Sequence, residues 1–398
     1  MNNIKVDKSD QSQSKIVNDN SFLGRVDNVN EVNVRDSMLV LPAIFQPFLT
    51  WLTAKSASNE AYKHRGRNYQ IITTFLSIAI GLIASIFMLK QAGYFLLFLP
   101  LSLIVTTSGL RKLQVVLFHN CVHGLVFNKT YKNYLFGEFI SIVMMLKNYL
   151  SYKKEHLAHH SSKKLLTFED DTIQFLFNFI GFAPGMKRSR LWIVLYLSLI
   201  SPFSHLRGIF SRITVCFFSH STIHNVIAIG YWAVLIYTIS HFNLWNYFVV
   251  AWLLPLFILN QISTTLRLIV EHKWPNQEIM NSRGKEFICL STSAVFLGEK
   301  VPNSSGSYKK KVVAWSCWIL KMIFIHLFSR VFVMVGDTPC HDFHHRRPST
   351  RRWYNYISER QLDEKNGCPG FPMNYSESWG LFTAINNNFE CLSRMSTR

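Results

Sequence analysis

The sequence predicts an all-α integral membrane protein, with four transmembrane helices in two hairpins and a cytosolic helical cap that carries clustered histidines. Three observations predict it. Four segments lack Asp, Glu, Lys and Arg over about the length a bilayer requires: Ile71 to Leu89, Ala92 to Leu110, Ile223 to Ser240 and Leu244 to Leu266. Within each pair the connection is very short, Lys90 and Gln91 in the first and His241 to Asn243 in the second, which makes each pair a hairpin. Finally, nine of the 15 histidines fall in four short windows, all outside the apolar segments.

Composition supports the first observation. The chain has 398 residues, 49% hydrophobic and only 16% charged, which excludes general disorder and a small soluble domain. Its net charge of +19 suits an anionic membrane surface or nucleic acid. The basic residues follow the membrane boundaries, which argues against nucleic acid. Lys55, Lys63, Arg65 and Arg67 precede the first span, and Arg111 and Lys112 follow the second. By the positive-inside rule these ends, the chain termini and the histidine windows are cytosolic. Apolar runs at Leu191 to Phe203 and Val312 to Val335, the latter broken by Lys321, His326 and Arg330, are expected in the membrane interface.

Residues 1–40 read as a polar, disordered tail with no apolar signal-peptide core and hence no cleaved leader. Residues 41–390 read as one membrane domain and 391–398 as a C-terminal tail. Seven scattered cysteines, odd in number and without a CxxC pair, read as reduced thiols.

The histidine windows are the specific part of the sequence. His119 and His123 lie in HNCVHG, His156, His159 and His160 in EHLAHH, His272 in VEHKW, and His341, His344 and His345 in HDFHH. On a helix, residues three or four apart share a face, so each box can clamp a metal with two imidazoles. Eight or nine imidazoles exceed the four ligands of one tetrahedral zinc, and two irons suit the set better. If the span helices continue outward, His119 and His272 hang roughly 13 and 9 Å past their spans at about 1.5 Å per residue. All four windows then converge just under the bilayer. Ligating imidazoles need carboxylate or carbonyl partners, and Glu155, Glu271 and Asp342 adjoin box histidines. Glu169, Asp170 and Asp171 compete for that role, and Arg267 is spaced to pair with Glu271. His220 and His224 are also four apart, but without a further partner they read as interfacial.

The order HxxxH, HxxHH, EH after the second hairpin and a terminal HxxHH resembles the integral-membrane fatty acid desaturase family, over about Tyr69 to Trp379. The resemblance implies a di-iron centre (Fe2+/Fe3+) that uses O2 and two electrons to put a double bond into an acyl-lipid. Its ligands would be His119, His123, His156, His159, His160, His272, His341, His344 and His345. The superfamily also holds hydroxylases and other oxygenases, which keeps a hydroxylase or monooxygenase reading open. No haem-binding HPGG and no nucleotide-binding GxGxxG occur, so no bound haem or nucleotide is expected. Electrons would come from an external ferredoxin- or cytochrome b5-like donor. A histidine-rich metal transporter is disfavoured because the histidines lie outside the spans, and a zinc protease because neither HExxH nor HxxEH occurs.

Overall fold

A computed structural model describes residues 33–275, 277–303 and 306–395. These residues are mostly helical, as expected. The first hairpin is α1 (Arg67–Gln91) and α2 (Gly93–Val122). Its packing is inverted relative to a water-soluble pair. The buried positions of α1 are Gln70, Thr74, Gly81 and Ser85, while Ile72, Leu76, Ile80, Ile83 and Phe87 are exposed. In lipid, apolar side chains gain nothing from burial, so small and hydroxyl-bearing residues form the contact. Gly81 and Gly109 act reciprocally: a Cβ on Gly81 would overlap Thr106, and one on Gly109 would overlap Ile78. Nearer the connection, the Ser85 and Ser102 hydroxyls bond at 2.8 Å.

Helix α2 runs on past its apolar stretch, widening into π turns over Leu113–Phe118 just before His119. Helices α3 (Thr130–Val143) and α4 (Tyr149–His159) follow. The α4 start is fixed by Asn148, whose side chain accepts from the Ser151 amide. Next come α5 (Arg188–Ile200) and α6 (Pro202–Phe217), bent by 66° at Ser201. The second hairpin is α7 (Thr222–His241) and α8 (Trp245–Glu271). Then follow α9 (Tyr308–Val333), α10 (His341–Arg346), α11 (Tyr356–Lys365) and α12 (Leu381–Arg394). The sequence reading has no strand, yet β1 (Ala294–Phe296) and β2 (Glu377–Trp379) form a two-stranded parallel sheet. Three residues each are too few for a period-two pattern to register.

Among the described residues five helices, rather than four, are long and apolar enough to cross a membrane, or six if the bent α5–α6 pair is one span. The fifth is α9, which the sequence reading lays in the interface. Lys321 is exposed, but Arg330 is buried and donates to the Trp51 carbonyl and the Tyr356 hydroxyl, so its charge does not shorten the apolar face.

The tail boundaries also move. Residues 1–32 lie outside the described set, but helical turns at Val34–Ser37 and Met38–Val40 fall inside the stretch read as polar tail. Arg35 anchors them, donating to Gln46 Oε1 at 2.9 Å and Thr50 Oγ1 at 3.0 Å. At the other end α12 continues to Arg394 and buries Leu392, beyond the expected end at 390.

Candidate metal centre

The four windows come together. His119, His123, His156, His160 and His344 form one group, and His159, His272, His341 and His345 a second, with the ligand atoms of each group within 4.8 Å of one another. In the first, Nε2 atoms stand 2.8 Å apart for His119 and His344, 2.9 Å for His123 and His156, 3.1 Å for His156 and His160, and 3.0 Å for His160 and His344. In the second, His272 and His159 are 3.0 Å apart and His345 and His341 3.1 Å.

One expectation is corrected. Each HxxHH box does not serve one metal; it serves both groups. On a helix with about 100° per residue, positions i and i+4 differ by about 40°, whereas i+3 falls about 60° to the other side. Thus His156 and His160 enter the first group and His159 the second. In α10, His341 and His345 enter the second and His344 the first.

Local structure aims the rings. His119 Nδ1 donates to the Val115 carbonyl one turn back at 3.1 Å, which turns Nε2 inward. The His156 ring stacks on Tyr152 at 5.5 Å. His159 Nδ1 donates to Asp170 Oδ1 at 2.9 Å. Asp170 is itself held as the N-cap of Asp171–Gln174, accepting from the Thr172 amide at 2.9 Å, while its other oxygen accepts from the Leu166 amide at 3.0 Å. His272 ends the outward extension of α8.

The four candidate carboxylates divide evenly. Asp170 holds His159, and Glu271 Oε1 lies 3.0 Å from His341 Nε2 while pairing bidentately with Arg267 at 2.9 and 3.1 Å. Asp342 points away from the histidines to Arg360, with contacts of 2.8 and 3.1 Å. Glu155 takes Lys147 at 2.6 Å, and Asp171 takes the same lysine at 3.0 Å. Adjacency along a helix puts side chains about 100° apart, which is why neighbours of histidines miss them. His224 finds Glu138 at 2.6 Å, away from both groups. A cavity of about 210 Å³ touches both groups, lined by His119, His156 and His159 together with Arg111, Tyr152 and Arg267. Sequence reading assigned no role there to Arg111 or Tyr152, although Tyr152 sits one turn before His156, on its face.

Electrostatics favour the ligating state. Burial and neighbouring imidazoles hold His156, His160, His344 and His345 well below the ordinary histidine range, and His123 is pushed down to about 4 and His272 to about 3. Neutral imidazole is the form that binds metal. His159 is the exception: burial lowers it, but the Asp170 bond and charge outweigh this and raise it. The spacing also fits a cation. Two donors about 2.1 Å from one ion lie about 3.0 Å apart at right angles and about 3.4 Å apart in a tetrahedron. The Nε2 separations of 2.8 to 3.1 Å match the right-angled case.

Fold and site together define a helical integral membrane protein whose clustered histidines can hold metal. A family model described as "Fatty acid desaturase" matches residues 92–379. The chain belongs to the fatty acid desaturase family, a histidine-box membrane superfamily, and the family suggests an oxidoreductase. No curated protein and no solved structure matches it.

Proposed function

We propose that this protein is a membrane-bound acyl-lipid desaturase whose nine box histidines hold two iron ions. It takes O2 and two electrons from a separate donor of the ferredoxin or cytochrome b5 kind. The observation that carries the reading is the convergence of nine imidazoles into a group of five and a group of four at right-angle donor spacing. Imidazole also suits zinc, copper and nickel; the donor number and the family favour iron. When bound, the metal pair supplies the oxidising power that an unactivated C–H bond requires and no side chain possesses. O2 takes four electrons, two from the substrate and two from the donor; with two protons from solvent it leaves as two waters, and the substrate keeps a C=C bond.

The chain's own residues position and shield. Asp170 and the Val115 carbonyl fix the rings of His159 and His119. Burial of all four members of the second group excludes bulk water from it. We assign four spans, α1, α2, α7 and α8, with the histidines on the cytosolic side. Supporting this, His272 follows α8, His341 follows α9, and both belong to one group. A single crossing by α9 would separate them by a bilayer. The basic residues at the histidine-side ends of the spans favour the cytosol for that face.

The test is metal analysis of the purified protein together with lipid profiling of cells expressing it. Two irons per chain and a lipid lighter by two hydrogens support the reading. A lipid heavier by one oxygen atom makes it a hydroxylase on the same scaffold. A folded protein with neither iron nor altered lipid sinks both.

A further inference from the structure

The end of the stem opposite the histidines holds a groove that the metal centre does not use. It measures about 530 Å³ and lies between the two hairpins. One wall is Leu82, Ile86 and Lys90 of α1, and another is Tyr231, Leu235 and Ile239 of α7. Each series is spaced by four, so each is one face of its helix. Helix α8 completes the groove with Tyr247 and Trp252. The mouth is at the connections, because Lys90 is in the last turn of α1 and Ile239 is two residues from the end of α7. From Lys90 inward to Leu82 is eight residues, roughly 12 Å at about 1.5 Å per residue, close to half of a hydrocarbon core about 30 Å thick.

Depth and charge decide the occupant. A groove that ends half-way is too short to seat a spanning helix of a second copy, about 30 Å long, but it matches one lipid chain of one leaflet. A chain on an outward-facing helix surface meets protein on one side only, whereas a chain in this groove meets three helices, and packing of that kind drives association in a membrane. The mouth supplies the charge. Lys90 is the only Asp, Glu, Lys or Arg between Arg67 and Arg111, and residues 213–266 contain none. With α1, α2, α7 and α8 as the spans, Lys90 is the one formal charge at its membrane face, placed against the positive-inside bias and with no acidic residue there to pair with it.

We infer that the groove holds an acyl chain of an anionic phospholipid from the leaflet opposite the histidines, with the lipid's phosphate at Lys90. Tyr247, in the first turn of α8, stands at the same level, where tyrosine suits the boundary between hydrocarbon and head groups. A chain seated there touches both hairpins and joins them at the end away from the histidine cap. The site is remote from the histidines, so this lipid is held and not converted. The inference rests on the four-span assignment and not on the desaturase reading.

Trp252 reports the chain directly. Full-length protein is reconstituted into vesicles of phosphatidylcholine with rising fractions of phosphatidylglycerol whose acyl chains carry bromine, a quencher of tryptophan fluorescence. A mirror series carries the bromine on phosphatidylcholine. The Trp252 signal is the difference between the natural protein and Trp252→Phe, which keeps an aromatic ring in the groove. The expected result is a preference of about fivefold for phosphatidylglycerol, the effect of one lysine near an anionic head group. Salt should screen the preference. Lys90→Gln should bring it to about one while the chain still quenches Trp252. Equal quenching by both lipids in the natural protein overturns the inference, and so does an undiminished preference in Lys90→Gln. Quenching of Trp252 by neither lipid would mean that something other than a lipid chain covers the groove, which overturns it too. Failure of the spans would show differently: a membrane-impermeant amine reagent, mapped by mass spectrometry, would label Lys90 from the same side as Lys154, sinking the assignment and this inference together. Absence of iron and of lipid oxidation, by contrast, would sink the desaturase reading and leave the lipid preference standing.

Discussion

The two histidine groups lie side by side and share both HxxHH boxes, yet they are built differently. The group of five has two half-buried members, His123 and His160, and among the described residues no carboxylate bonds to any of its rings. The group of four is buried throughout and carries Asp170 on His159 and Glu271 against His341. One set therefore meets a cation with neutral imidazoles alone, the other with nearby negative charge and less access to water. The difference teaches that donor number and charge compensation are exchanged between the two halves of one centre: the group with fewer imidazoles has the carboxylates.

The strongest way to break this comparison is to remove one ligand from each half. His344→Ala should empty the first group and His159→Ala the second, each lowering metal content from two ions to one per chain and turnover to background. The protein should stay in the membrane in both cases, because neither ring is part of a span. Full turnover in either variant would remove that residue from the ligand set.

A gentler change tests the charge half. Asp170→Asn keeps size and capping geometry but removes the negative charge on His159. Partners of this kind typically matter by about 10–100-fold in metal affinity or activity. The loss should fall on one ion only, seen as two separated steps in a chelator titration where the natural protein shows closer ones. A uniform loss of both ions would mean that the two groups do not hold metal separately.

Acidity singles out His159 by sign, within the second group. In the metal-free protein His123 and His272 have folded values of about 4 and about 3, below the ordinary 6.5. Below pH 6.5 the unfolded chain takes protons that the fold refuses, so these groups remove stability as pH falls, at most about 1.4 kcal/mol per group per pH unit, down to their folded values. His159 is raised. Its contribution is fully present below the unfolded value and is lost as pH rises through the folded one. Thermal melts of chelator-treated protein should therefore fall in midpoint from about pH 6.5 to about pH 5. The fall should steepen in Asp170→Asn, because burial without that carboxylate lowers His159 as well and adds a further group of the same sign. A midpoint that rises on acidification would contradict the burial of the imidazoles.

Much of this was legible in the sequence, for identifiable reasons. Charge-free stretches and connections of two and three residues expose hairpins directly, because lipid forbids the alternatives. The nine histidines were legible because ligand chemistry admits few residue types. The division of each HxxHH box between two groups was not, since it depends on which side of the helix faces which neighbour. The apolar length of α9, though not its proposed place in the interface, was obscured because Lys321 and Arg330 look alike in sequence, while only Arg330 is buried with its donors satisfied.

The smallest expected effect sharpens the comparison at its edge. Glu155 directly precedes His156 in sequence and lines the same cavity, so by adjacency it looks as important as Asp170. Its oxygen instead meets Lys147 at 2.6 Å, and Lys147 also holds Asp171 at 3.0 Å. All three side chains are about a third exposed or more, and pairs of that kind contribute about 0–1 kcal/mol. Glu155→Gln should thus leave metal content at two ions per chain and turnover within about twofold, while Asp170→Asn does not. If Glu155→Gln lost metal as Asp170→Asn does, proximity to the cavity rather than contact with a ring would be what stabilises the centre, and the contrast between the two groups would have to be redrawn around the cavity's total charge.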